Sequence, residues 1–351
     1  MPTLRDIGKN LGLSPATVSR ALNGFPEVNE KTRRRIEEMA RRLDYKPNQI
    51  ARKLVTGRSG MIGLVVQKPQ DLATDTTFFG VVTGISTCLA ERDIDLVLHV
   101  AVDEDEVAPY RRLTAKGAVD GFILNTPTIN DRRIAYLEQQ GAHFVVHGRS
   151  DAEVGYAYYD IDNKKVSVLA AELLCNLGHR RIALLNGPAE RSYAIDRRLG
   201  LAETLASRRL HTPEAFIMSG PLSEHHGYVS ALRALSGVLG PAPTAFVCAS
   251  TLIAVGALRA IADRGLQVPH DISVIAHDDG IPQVRATGFS PTLTVTRSPL
   301  TDACAPLAEI IVALTQSSVR PQAVQRVGTP EFIIGGSTGP VRTGETDEWP
   351  N

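Results

Sequence analysis

From Met61 onward the chain alternates between short apolar runs and stretches with helical spacing, and that alternation restricts the fold more than any other feature. Ile62–Val66, Leu96–Val102, Gly121–Leu124, Phe144–Val146, Ile182–Leu185, Ala245–Cys248 and Ile272–Ala276 are too short for helices and too evenly apolar for half-exposed strands. They are expected to be buried parallel strands. Between them Val82/Ile85/Leu89, Val168/Ala171/Glu172/Cys175 and Ala254/Ala257/Leu258/Ile261 recur at helical spacing, with only Glu172 off pattern. Strand–helix alternation over most of 351 residues implies an α/β fold with parallel sheets, longer than a single sheet needs. Two doubly wound lobes with a ligand cleft at the strand C-termini satisfy it.

Residues 1–58 do not share this pattern. They hold 13 Lys/Arg against six Asp/Glu in a chain whose net charge is zero, so a basic head joins an acidic body. Such a head suits a polyanion. Leu4, Ile7, Gly8 and Leu11 form one face of a short helix, with Thr3 and Asp6 spaced as a capping box. Gly12 then allows a turn, and Ser14-Pro15 begins a second short helix with Val18 and Leu22 inward. Asn29 caps a third, whose stripe is Ile36, Met39, Ala40 and Leu43. Two short helices across a tight turn make a helix-turn-helix. The second helix of such a unit enters the major groove, which puts Pro15, Ala16, Thr17, Ser19 and Arg20 at the bases. Arg20 is able to grip guanine bidentately, and Pro15 and Ala16 offer only apolar contact. Thr3, Ser14, Thr17 and Asn23 suit phosphate oxygens, although Thr3 and Ser14 also read as plain caps.

Several classes are excluded on composition. No apolar run approaches the roughly 20 residues of a membrane span, so no membrane partner is expected. Cys88, Cys175, Cys248 and Cys304 offer neither a CxxC pair nor a disulfide framework. With no secretory signal pattern at Met1–Ile7, a cytoplasmic protein is expected. No GxGxxG follows a strand, and GxxxxGK[ST], HExxH and GxSxG are absent. Neither an enzyme nor a cofactor is therefore expected. His225 and His226 are adjacent and so cannot share a helical face as a metal pair.

The run from Thr3 through Leu13-Ser-Pro-Ala-Thr-Val-Ser-Arg-Ala-Leu-Asn23, with Leu43-Asp-Tyr-Lys-Pro-Asn-Gln-Ile-Ala-Arg-Lys-Leu54, resembles the lactose-repressor (LacI/GalR) family. The resemblance implies a small all-α helix-turn-helix head plus an α/β periplasmic-binding-protein-like core of two doubly wound parallel-sheet lobes. The expected divisions are a DNA-binding domain at 1–46, a hinge helix or linker at 47–58, and a core at 59–335. Within the core, an N-lobe is expected at about 60–158 and 292–325, and a C-lobe at about 159–291 and 326–335. The Gly-, Pro- and Thr-rich segment 336–351 is expected to be disordered. In the family the hinge helix forms when two copies pair in the minor groove, which implies a homodimer on a pseudo-palindromic double-stranded operator. Asn48 would cap it, Ala51 and Arg52 would meet the DNA, and Leu54 matches the family's wedge residue at a central pyrimidine–purine step.

The same resemblance places Asn125, Asp162, Arg197 and Asp278 in the effector cleft. Ser250-Thr251 stands where the family usually has Asn-Asp, and His147 and Arg149 follow the strand Phe144–Val146. Phe78 and Phe79, at the first strand–helix loop, are placed to stack on a pyranose face. Carboxylates, amides and Arg suit sugar hydroxyls, yet each residue has a plainer alternative as a cap, an ion pair or a core side chain. The expected effector is a neutral saccharide. Phe79-Gly80, Leu96-Val-Leu-His-Val100 and Val146-His-Gly-Arg149 resemble the α-glucoside-operon regulators of the family and favour an α-glucoside. A corepressor role for a purine or sugar phosphate, and a sugar-binding transport component, stand as alternatives.

Overall fold

The computed structural model describes residues 2–22, 25–45, 57–67, 76–101, 105–151, 154–317 and 319–342. The head contains α1 (Leu4–Leu11), α2 (Pro15–Leu22) and α3 (Glu30–Arg42). Thr3 caps α1 in the expected box, its own N–H donating to Asp6 Oδ2 at 2.8 Å. Gly8 is required by close approach, because a Cβ there would lie 2.5 Å from the Leu13 carbonyl oxygen. Asn29 caps α3 by accepting from Thr32 N–H at 2.8 Å. The small core is Ile7, Val18, Ala21, Val28, Ile36 and Ala40; Leu22, Met39 and Leu43 are only partly covered. Val18 and Ala21 therefore form the inner face of α2, one residue round from the expected Val18 and Leu22.

The remaining strands divide between two six-stranded sheets, each with its own helices. The first runs β11-β5-β4-β3-β1-β2, parallel throughout, from β1 (Met61–Gln67), β2 (Asp95–Ala101), β3 (Gly121–Asn125), β4 (Phe144–His147), β5 (Ala157–Ile161) and β11 (Arg326–Gly328). Its helices are α4 (Thr76–Ala90), α5 (Ala108–Ala115), α6 (Arg132–Gln139) and α11 (Cys304–Gln316). The second runs β12-β10-β9-β8-β6-β7, with only the edge strand β12 (Glu331–Ile333) antiparallel. Its other strands are β6 (Ile182–Asn186), β7 (Ile217–Ser219), β8 (Ala245–Cys248), β9 (Ser273–Asp278) and β10 (Thr294–Arg297). It carries α7 (Asn163–Asn176), α8 (Ser192–Ser207), α9 (Glu224–Ala234) and α10 (Thr251–Asp263).

The expected lobe boundaries need correction. β5 stays in the first sheet through Ile161, β10 belongs to the second, and β11 returns to the first beside β5. A strand leaves its sheet where its hydrogen-bond ladder ends, and the Thr- and Val-rich composition here reads the same on either side of that point. The inner face of α7 also differs from the expected stripe: Val166, Ala170, Ala171 and Leu174 are buried, whereas Glu172 is exposed and Val168 and Cys175 are half-buried.

The chain beyond residue 335 is a second correction. Ser337 is fully buried, donates to the Val274 carbonyl at 2.6 Å and accepts from Thr294 N–H at 2.8 Å. His179 contacts the Gly339 carbonyl at 3.0 Å, and Val341 N–H donates to the Leu177 carbonyl at 3.0 Å. Residues 336–342 are thus fastened to the second lobe despite a composition typical of disorder, because their backbone groups complete its hydrogen bonding. Residues 343–351 lie outside the described residues.

Candidate functional site

On the head, the N-terminal residues of α2 face outward. Pro15, Ala16 and Arg20 are exposed, and Thr17 and Ser19 are half-buried. Ser14 Oγ accepts from Thr17 N–H at 3.1 Å and lies 2.9 Å from the Thr17 hydroxyl. Thr3 and Ser14 are therefore caps and both remain exposed, with the Thr3 hydroxyl donating to Asp6 Oδ2 at 2.8 Å. Asn23, Asn48, Ala51, Arg52 and Leu54 fall outside the described residues.

Where the C-terminal ends of the two sheets meet, a cavity of about 920 Å³ takes its walls from both. Five of the nine expected cleft residues line it: Phe78, His147, Arg149, Arg197 and Ser250. Phe78 lies in the first turns of α4 and presents its ring to the cavity. Phe79 meets it edge to face at 6.1 Å but is 48% exposed and does not line the wall. Successive helical positions point about 100° apart, so the two rings were never able to share one face.

Three polar expectations fail in placement. Asn125 ends β3 with its Oδ1 buried and without a hydrogen-bond partner, off the cavity. Asp162 is the N-cap of α7 and accepts from Lys165 N–H at 2.9 Å. Asp278 accepts from Gly280 N–H at 2.8 Å and pairs with Arg297 at 3.5 Å, facing a smaller cavity of about 510 Å³. Among the carboxylates that do line the main cavity, Asp160 and Asp279 stand one or two positions away from the expected ones. The end of the strand explains the first shift. Asp160 lies within β5, buried and held by Arg149, whereas Asp162 lies past the strand's end, where capping captures it. His277, Tyr193 and Asn163 also line the wall unforeseen; His277 carried a signal, directly following the buried run Ile272–Ala276.

The side chains are held firmly. Arg149 donates from Nε to Asp160 Oδ2 at 2.8 Å and sits 5.5 Å from the Tyr158 ring centroid. Burial raises the Asp160 pKa, and Arg149 opposes that rise. Arg197, only 5% exposed, donates to Asn163 Oδ1 at 3.0 Å and to the Ala249 carbonyl at 2.7 Å, and lies over Tyr193. Burial lowers its pKa, with the Asp279 charge acting in the other direction. Asp279 is pushed up to about 7 by burial, against Arg197. Ser250 caps α10, its Oγ accepting from Ile253 N–H at 3.2 Å. The lobes also touch directly: Arg191 Nη1 donates to the Thr126 carbonyl at 2.7 Å and Ser192 Oγ to that of Pro127 at 2.9 Å.

Such a wall, apolar and aromatic with a few fixed polar groups, is built to hold a small molecule. Five carboxylates (Asp160, Glu224, Asp279, Asp302, Glu331) face it against three guanidinium groups (Arg149, Arg197, Arg297). Arg149 is already paired with Asp160. Arg297 pairs with Asp278 and Glu331, whereas Arg197 hydrogen-bonds only to neutral oxygens, with the Asp279 charge acting on it from nearby. No cluster of metal-binding side chains occurs among the described residues, and no described helix is long and apolar enough to cross a membrane.

Comparison with known proteins agrees with the division into head and core. Residues 3–48 match the model of bacterial regulatory proteins of the lacI family, and residues 171–338 match that of a periplasmic binding protein-like domain. The chain is 42% identical over 341 residues to the HTH-type transcriptional regulator AglR of Rhizobium meliloti (strain 1021), covering 96% of this chain and 94% of that one. A lac repressor dimer bound to operator and the anti-inducer ONPF superposes with a TM-score of 0.77 at 25% identity, over 96% and 99% of the two chains. A complex of the transcriptional regulator CelR with cellobiose gives a TM-score of 0.70 at 26% identity, over 96% and 100%.

Proposed function

The chain belongs to the lacI family of bacterial regulatory proteins, as a transcription regulator and not an enzyme, and from that premise we propose that it represses a carbohydrate-utilisation operon until a neutral saccharide binds between its lobes. The favoured saccharide is an α-glucoside such as maltose, sucrose or trehalose.

The observation that carries this reading is the cavity wall. It combines carboxyl, guanidinium, imidazole and hydroxyl groups, and sugar hydroxyls, which both donate and accept, satisfy Asp, Arg, His and Ser alike. Phe78, Tyr159 and Tyr193 offer ring faces for a pyranose. Its volume of about 920 Å³ is near the upper end of small-molecule sites, which run to about 1,000 Å³. A disaccharide fits that size better than a single sugar ring. The cellobiose held by CelR supports a glycoside as the class.

On the DNA side, a homodimer would set α2 of each copy in successive major grooves, with Arg20 reading guanine and residues 47–58 pairing in the minor groove. Sugar binding favours the closed lobes. If closure moves the lobe joined to that linker, ligand weakens operator binding in proportion to its preference for the closed state. Titration calorimetry with a panel of mono- and disaccharides, alongside operator gel-shift, tests the whole reading. A sugar that binds and releases operator is the expected result. A purine or sugar phosphate that binds and strengthens operator affinity, with no sugar bound, would establish corepression instead.

A further inference from the structure

Two imidazoles line the cavity from opposite sheets, His147 at the end of β4 and His277 in β9. Burial keeps both uncharged: His147 is pushed down to about 4, and His277 well below its ordinary value with the Arg197 charge adding to the effect. A neutral imidazole has one N–H donor and one bare acceptor nitrogen, and each needs a partner when water is excluded. Among the described residues no hydrogen bond reaches either ring nitrogen of His147, whose aromatic neighbour is Tyr159, with ring centroids 6.3 Å apart.

His277 is more constrained. Its side chain is 1% exposed and its Nδ1 lies 3.0 Å from Thr296 Oγ1. Among the described residues its Nε2 is buried with no hydrogen-bond partner, since Asp279 Oδ1, at 3.4 Å, stands outside hydrogen-bond geometry. An unpaired buried nitrogen is costly, and here it belongs to a ring on the wall of a cavity shaped for a ligand.

We propose that His147 and His277 are specificity-determining residues of the effector site, each pairing a ring nitrogen with a hydroxyl of the bound saccharide. The proposal rests on the saccharide reading of the cavity and goes beyond it by naming the groups that choose the ligand. A hydroxyl both donates and accepts, so it satisfies either tautomer of either ring. A phosphate oxygen only accepts, so it pairs with a ring nitrogen only in the tautomer that carries the proton there. Because the rings come from different sheets, one ligand that pairs with both ties the two lobes together. Recognition and closure then draw on the same contacts.

The test uses the full chain, with maltose, sucrose, trehalose and monodeoxy analogues of whichever binds, titrated by calorimetry. His147→Leu and His277→Leu are each expected to weaken binding by about tenfold, and His147→Gln and His277→Gln by less. The decisive readout is internal to each sample. In each Leu variant the penalty for one particular deoxy position should disappear, as coupled partners in a cycle require. A mere packing role would leave the deoxy profile unchanged. Leu variants that bind within about twofold of the parent, or that weaken with the profile intact, overturn the proposal. If the parent binds no sugar, the reading of the cavity itself fails and this assignment falls with it.

Discussion

Arg20 and Asp279 illustrate how much a single side chain decides here. Arg20 is the exposed residue on the outer face of α2 with bidentate reach. Arg20→Ala should cost about 1–3 kcal/mol at the base pair it reads and relax specificity at that position alone. Gel-shift against a set of operator variants measures this, and a uniform loss over the set would make Arg20 a phosphate ligand. Asp279 responds to pH. Burial lifts its carboxyl from 3.8 to about 7, so the folded state holds that proton more tightly than the unfolded chain. Stability from this group is complete below about pH 4 and is lost as pH rises through 7. Thermal stability of the parent should therefore fall between about pH 4 and 7 more than that of Asp279→Asn. Parallel profiles for the two proteins would contradict the assignment.

At the scale of elements, the contact of α7 with α8 fixes the geometry of the cleft. α8 carries both Arg197 and Gly200, and a Cβ on Gly200 would run into the Lys164 carbonyl of α7. That oxygen belongs to a helix backbone and has little freedom to yield. Gly200→Ala gains about 1 kcal/mol of helix propensity but must force the helices apart, an overpacking cost of about 1–3 kcal/mol or more. The expected result is a net loss of stability in denaturant titration together with weaker sugar binding, because Arg197 moves with its helix. A stabilised variant with parental affinity would show that the helix pair has slack. The spacing of Arg197 and Gly200 thus has a local cause: one residue supplies the charge to the cavity, and the other lets the helix approach closely enough to deliver it.

In the whole molecule the two lobes meet through the loop after β3 and the start of α8, and this contact bears on the response to ligand. Ser192 Oγ donates to the Pro127 carbonyl, while Arg133 and Asp131, a buried pair, fasten the loop from within the first lobe. Arg133 reaches the carbonyls of Asn125 and Thr126, so the loop presents a prepared surface to the opposite lobe. Ser192→Ala removes one hydrogen bond that exists only when the lobes are together, a loss of about 0.5–1.5 kcal/mol. It should weaken sugar binding by about two- to tenfold and raise the sugar concentration needed to release operator by the same factor. Calorimetry and operator release measured on one preparation check this. An affinity change without a matching shift in release would uncouple the contact from regulation.

The head was legible in the sequence because its signals are local. Thr3 with Asp6, Gly8, Ser14-Pro15 and Asn29 act on backbone groups within a few residues, so spacing alone places them. The strands of the core were equally plain, since burial on both faces leaves near-continuous apolar runs such as Ile182–Leu185. The tertiary structure decided what depends on partners distant in the chain. Whether β10 joins the first or second sheet depends on its ladder with β9, not on its own residues. Segment 336–342 gains its order from His179, Val274 and Thr294, residues far away in sequence. In the cleft, residue type announced carboxylates and histidines. Only packing selected Asp160 over Asp162 and Asp279 over Asp278, because Asp162 and Asp278 are each captured by a nearby backbone donor, Lys165 N–H and Gly280 N–H.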